Sequence, residues 1–493
     1  MVPTWRLRAA FARRLSAMYG TEVPAYTTLL EVAGRVNDEV AGRDPDAERL
    51  GSLTRVTAER HGAIRVGTEA ELRRAAQIFA ALGMRPVGFY DLRDGEVGAV
   101  PVVSTAFRPT GTEELERNPF RVFTSLLTTS DRRFFDADLE SRLDAFLARR
   151  RLFPPELLQL AEKAEEPAGL PEADAERFLT LAVAAFELSP EPVDRAWYAE
   201  LERVSAVAAD IGGVAATHIN HLTPRVLDID ALYRRMGERG IAMIDRIQGP
   251  PRWDGPDVLL RQTSFRALAE PRRFREPDGR ITGGSLRVRF GEVEARGIAL
   301  TRAGRARYDA LMAATDRHLA QDPDADRQET ARALWHRTFP RTEHRLAAEH
   351  LAFFTYRPAT GRPHDGRRPP ADLAGLLDGG WLTAHPIVYE DFLPRSAAGI
   401  FRSNLTGEGI RCAALTGTPF DAHRLSEVIG RPVLDPFTLY AAQQDRSLRQ
   451  ALSTLRAGAA LRALDAAEGH PTPDTGRPAT GPTTGPPADP TTP

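Results

Sequence analysis

Leu7, Phe11, Leu15 and Met18 recur at helical spacing, and the pattern predicts amphipathic helices over residues 4–19 and 26–40, joined by a turn near Gly20 and Pro24. Residues 60–67 read as a short strand. Thr68 and Glu71 then have the spacing of a capping box. Leu72, Ala75, Phe79 and Leu82 form the buried stripe of a helix that Gly83 ends. Strand-like runs follow at 85–91 and 99–106. From about 120 to 209 the pattern is almost wholly helical, marked by Phe134, Leu139, Leu143, Phe146 and Leu147 and again by Phe178, Leu181, Ala182, Ala185 and Phe186. This stretch reads as a helical insertion packed on a sheet. Strand patterns return at 213–222, 241–247, 257–264 and 285–296, and Asp228 or Asp230 can cap a helix at 230–237.

Further helices are predicted at 302–320 and 325–337. A Pro/Gly/Arg-rich loop spans 356–372, then come a short helix (371–378), a strand (383–389) and helices at 421–429 and 436–456. From Glu468 the chain is largely Pro, Thr and Gly, with no apolar face to bury, so residues 466–493 are expected to be a disordered tail. The expectation is an α+β protein with one domain over 1–465.

Charge and composition narrow the function classes. Net charge is −2 in 493 residues, so the basic footprint of a nucleic-acid binder is missing. No run approaches the ~20 apolar residues that span a bilayer. The first twenty residues are Arg-rich and acid-free, which superficially suits a targeting peptide, but their apolar stripe reads as a core helix. Cys412 is the single cysteine, which fits a reducing compartment and a cytoplasmic protein. No Gly-rich phosphate loop, dinucleotide fingerprint or Gly-x-Ser-x-Gly elbow is present.

Three stretches carry candidate chemistry. His61 and Arg65 share a face of either a strand or a helix, so both can line one pocket, and the planar fork of Arg suits a carboxylate. In His218-Ile219-Asn220-His221, strand parity sends the two histidines to opposite sides. One is a candidate ligand, and the other supports or lies elsewhere. In Leu286–Arg296, Glu292, Glu294 and Arg296 continue a face begun by Leu286, Val288 and Phe290. Acids there are costly unless paired or metal-bound, so either glutamate is a candidate ligand, with the other held by Arg296. Two histidines and one carboxylate from separate strands form the facial set of non-haem Fe(II) oxygenases. The same ligands also suit Zn(II) or Mn(II).

The blocks His61–Arg65, Ser104–Pro109, Asn118–Ser125, His218–Arg225, Leu260–Phe265, Phe290–Glu294 and Tyr389–Pro394 together resemble the 2-oxoadipate dioxygenase/decarboxylase family, in the same order over about residues 5–450. The resemblance implies a relative of the vicinal-oxygen-chelate enzymes, in which a curved central sheet encloses an Fe(II) site and carries extra helices. It implies that residues 1–465 form one catalytic domain. It places the metal ligands on His61, His221 and Glu294, leaving His218, Glu292 and Arg296 as supporting residues. It places the substrate around His61, Arg65 and His221 and along the backbone at Arg395 and Ser396. The family carries a small apolar residue where this chain has Arg395. The implied reaction converts 2-oxoadipate and O2 to 2-hydroxyglutarate and CO2 through the metal centre, with no separate acid or base. Two other readings keep the same site: a Zn(II) or Mn(II) isomerase or lyase, and a non-enzymatic 2-oxo diacid sensor. None of the three implies a nucleic-acid or membrane partner.

Overall fold

Strand β1 (Arg60–Val66) is an interior strand of the sheet that carries the candidate residues. All of its residues but the first are buried, and a Cβ at Gly62 would stand 2.8 Å from the Ile219 side chain, so only glycine lets the neighbouring chain lie this close. The computed structural model describes residues 1–467 apart from 95–98, 167–168, 364, 394–395, 397–399, 401–402 and 405–416. The expected tail and Cys412 lie outside the described residues, except for residues 466–467, which end a helix.

Strands β2 (Arg85–Asp91), β3 (Val102–Arg108), β4 (Arg121–Leu127), β5 (Val193–Asp194) and β6 (His221–Pro224) follow in sequence. Five strands pair in the order β2-β3-β4-β1-β6, with β4 parallel and β6 antiparallel to β1. Next come β7 (Leu260–Ser264), β8 (Glu270–Arg275), β9 (Ile281–Leu286) and β10 (Glu292–Arg296). β7 pairs with β10, and β8 pairs with β9 and with the short β5. A bridge between Arg225 and Glu294 links the end of the five-stranded sheet to β10.

Helix α1 (Thr4–Glu22) buries Leu7, Phe11 and Leu15, and Phe11 meets Phe120 edge-on at 5.8 Å. Arg8 is fully buried because its guanidinium donates to the carbonyls of Leu82 and Asn118 and to Glu114. Helix α2 (Pro24–Arg43) sends Asn37 to the chain just past β6, where it bonds the Arg225 carbonyl and the Leu227 N–H. The α3 helix (Leu53–Ala58) leads into β1, and α4 (Glu69–Ala81) follows it with the expected Thr68/Glu71 capping box. Asp228 caps the helix Ile229–Glu238.

Several expectations are corrected. The block from 120 to 209 is not wholly helical, because its first segment is β4. That strand is buried at every residue, so it lacks the alternation that marks a half-exposed strand. Helices occupy 137–147, 155–165, 172–184 and 195–204 of the remainder. The 213–222 run is not a strand until His221; a helix, Ala206–Gly212, and an extended segment precede it. At 241–247 only Met243 makes a bridge, to Phe265. The 285–296 run is two strands broken around Phe290 and Gly291, where a Cβ on Gly291 would strike the Phe265 ring at 2.1 Å.

The described chain forms two compact units. The larger contains Met1–Thr355 and Ala384–Arg446, and the smaller contains Tyr356–Thr383 and the described residues from Ser447 on. Among the described residues, no helix is long and apolar enough to cross a membrane.

Candidate metal centre

Register brings the candidate residues together. His61 and Arg65 point to one face of β1, and His221 pairs with Ala63, so it shares that face. Arg121 pairs with His61 across the parallel ladder and joins them. The Arg225–Glu294 bridge brings β10 alongside, with Glu292, Glu294 and Arg296 on one side of their strand. This polar face is sealed from water: His61, His221, Glu292 and Glu294 are at most 4% exposed.

His61, His221 and Glu292 each offer a donor atom within 4.8 Å of the others. Glu292 Oε2 lies 3.5 Å from His61 Nε2, and Glu292 Oε1 lies 3.5 Å from His221 Nδ1. The His221 Nδ1 atom is buried and makes no hydrogen bond. Nδ1 of His61 likewise lacks an aligned bond, though Glu294 Oε2 is 3.0 Å away. An orphaned, buried His221 Nδ1 facing a carboxylate that also faces His61 Nε2 is a donor set a divalent metal satisfies. Burial holds His221 neutral, with a pKa near 4, so its lone pair is available.

Glu294, the carboxylate ligand that the resemblance implies, is held by neighbouring arginines. Both its oxygens are gripped by Arg296, at 2.7 and 2.9 Å, and Arg121 stands 3.4 Å away. Burial opposes its charge, but Arg296, His61 and Arg121 hold its carboxyl at about 2. It lies against Nδ1 of His61, and Glu292 is the carboxylate whose oxygens stand 3.5 Å from both imidazoles. Burial likewise works against a proton on His61, but Glu294 and Glu292 raise its pKa above the ordinary imidazole value.

Beneath the cluster is a charge network that sequence reasoning missed. Glu59 accepts from Arg121 at 2.8 Å and from Arg225 at 3.0 Å, and Glu390 pairs with Arg121 and Arg55. Arg296 also donates to the carbonyls of Tyr389 and Asp391. Phe392, next along the chain, sets its ring edge-on to His61 at 4.9 Å, and Phe290 lies 5.5 Å from the His221 ring. The Tyr19 hydroxyl donates to the carbonyls of Asn220 and Phe290, next to His221 and Gly291.

The remaining expected residues divide. Arg65 pairs with Asp210, a residue absent from the sequence expectation. His218 precedes β6, and its Nε2 sits 3.1 Å from Asn220 Nδ2 and 3.4 Å from Asp210. Ser396 is buried, its N–H bonds the Leu393 carbonyl, and it lines a cavity with Gln248, Tyr308 and Met312. Arg395 lies outside the described residues. Asp210 did leave a signal in the sequence, as the lone acid in Ala206-Val207-Ala208-Ala209-Asp210-Ile211-Gly212.

The profile of the family described as 2-oxoadipate dioxygenase/decarboxylase matches residues 11–404. A 2-oxoadipate dioxygenase/decarboxylase of Mycobacterium tuberculosis is 57% identical over 450 residues, covering 90% of this chain and 98% of that protein. One from Pseudomonas putida is 41% identical over 464 residues, covering 92% and 97%. The crystal structure of the P. putida hydroxyglutarate synthase in complex with 2-oxoadipate superposes with a TM-score of 0.77 at 37% identity, covering 92% of this chain and 99% of that one. With its buried His/His/Glu cluster, the chain belongs to the 2-oxoadipate dioxygenase/decarboxylase family.

Proposed function

We propose that this enzyme converts 2-oxoadipate and O2 to 2-hydroxyglutarate and CO2 on an Fe(II) ion held by His61, His221 and Glu292. The balance is complete: the two oxygen atoms of O2 enter the products and no second oxo acid is consumed. The observation that carries the reading is the buried donor cluster with the unbonded Nδ1 of His221. Fe(II) bound there supplies electrons to O2 and open positions for a 2-oxo acid. The chain's own residues do the rest. Glu294, clamped by Arg296, faces His61 Nδ1 and so sets the ring's orientation. Arg65 takes the distal carboxylate of the diacid. Phe392 and Phe290 pack against the imidazoles and keep water out. The backbone at Arg395 and Ser396 is retained as a substrate contact, supported by their closeness in sequence to Phe392.

We read the five-stranded sheet and the β10–β7 pair as one curved surface of the vicinal-oxygen-chelate type. The Arg225–Glu294 bridge that joins them supports this. A cytoplasmic setting remains the expectation, supported by the single cysteine.

The test is anaerobic reconstitution with Fe(II) followed by admission of oxygen. Oxygen uptake should match 2-oxoadipate consumed one for one and stop when the acid is exhausted. Uptake indifferent to the acid sinks the substrate assignment. Turnover supported by Zn(II) and not by Fe(II) sinks the metal assignment.

A further inference from the structure

Asp210 is 4% exposed and pairs with the Nη1 atom of Arg65. Its Oδ2 also accepts from Asn220 Nδ2 at 2.9 Å, and its Oδ1 lies 3.4 Å from His218 Nε2. Thr217 Oγ1 donates to the Arg65 carbonyl at 2.7 Å, tying the backbone to the same loop. The Arg65 side chain therefore starts on the metal-bearing face of β1 and is held at its end by a cluster on the 206–220 segment.

Asp210 and His218 line a cavity of about 380 Å³ together with Arg149, Arg272 and Arg275. A carboxylate bordering a cavity contributes little by filling volume. What it contributes is a charged, hydrogen-bonded anchor for one arginine. Such an anchor matters because a long arginine side chain without one has many rotamers and can reach a range of positions.

We propose that Asp210 is a positioning residue that fixes the reach of Arg65 and thereby selects the chain length of the 2-oxo diacid. The inference rests on Arg65 as the anchor of the distal carboxylate. With the guanidinium held at one distance from the metal, only one diacid length places both its ends correctly. With it released, neighbouring lengths are also gripped, each less well.

The experiment compares kcat and KM for 2-oxoglutarate, 2-oxoadipate and 2-oxopimelate in wild type, Asp210→Asn and His218→Ala, with melting temperature measured for each. Asp210→Asn keeps the shape and removes the charge. Its KM for 2-oxoadipate should rise about tenfold or more with kcat within about threefold. Its preference for the six-carbon acid over both neighbours should fall about tenfold, within the range over which one methylene is discriminated. His218→Ala, which removes a neighbour of both Asp210 and its partner Asn220, should move the preference in the same direction by less. A purely structural role lowers the melting temperature and leaves the preference alone. That result in Asp210→Asn overturns the inference, and in His218→Ala it does so if Asp210→Asn fails to fold. If wild type turns over none of the three acids, the functional reading fails first and this inference with it.

Discussion

The Oε2 atom of Glu294 lies 3.0 Å from Nδ1 of His61, while Nε2 of the same ring faces Glu292 at 3.5 Å. The two glutamates are thus on opposite edges of one imidazole, and only Glu292 also reaches His221. Glu292→Ala should abolish metal binding in calorimetric titration with Fe(II) or Mn(II) under argon. Glu294→Gln keeps the ring's neighbour in place and should weaken affinity by about 10- to 100-fold, the usual cost of losing a partner that orients a ligand. The reverse ranking assigns the ligand role to Glu294.

Arg121 is fully buried among Glu59, Glu294 and Glu390. Arg121→Met leaves these carboxylates to Arg55, Arg225 and Arg296. Removing one partner of a buried ionic network costs about 3–5 kcal/mol, and urea unfolding should show a loss of that size. A loss below about 1 kcal/mol means that the remaining arginines absorb the charge.

Acid should destabilise the metal-free protein before its carboxylates titrate. Burial holds His218 and His221 at about 4, below the ordinary 6.5. Between those values the unfolded chain binds protons that the native protein does not, so stability falls as pH drops through the window. The contribution is complete above 6.5 and lost on the way to 4. His61 has the opposite sign: its pKa is raised, so its contribution is full below 6.5 and declines only as pH rises through the raised value. Two lowered histidines against one raised one give a net loss on acidification, on the order of a few kcal/mol at about 1.4 kcal/mol per pK unit. Urea midpoints at pH 7 and pH 5 measure it, and His218→Gln should shrink the difference. Equal midpoints contradict the shifts.

Periodicity carried the parts of this structure that are exposed on one side. The stripe of α1 and the Thr68/Glu71 cap of α4 stand where pattern and spacing predict them. β4 escaped because a strand buried on both faces has no alternation to read. At the site, strand parity set His218 and His221 on opposite sides, but the strand begins only at His221. Parity had no power over Glu292 and Glu294, which share a face by the same rule. What separates them is which one Arg296 grips, a contact that strand parity leaves open. Glu59, Asp210 and Glu390 join through contacts across the fold, and no local pattern announces such partners.

Tyr19 is the helix residue that ties two site segments together. Its hydroxyl donates to the carbonyl of Asn220 at 3.1 Å and to that of Phe290 at 2.9 Å. Those carbonyls precede His221 and Gly291, so one phenol from α1 sets the spacing between β6 and the entry to β10. Tyr19→Phe keeps the ring, which packs on Tyr26 at 5.1 Å, and removes only the donor. Both buried carbonyls then lose that donor, at about 1–3 kcal/mol in stability. The separation of His221 from Glu292 is no longer held from outside, so metal affinity should fall along with the melting temperature. Calorimetric titration and thermal unfolding of the same preparation check the two effects together. Unchanged metal affinity beside a lowered melting temperature shows that the tie serves the fold and not the site.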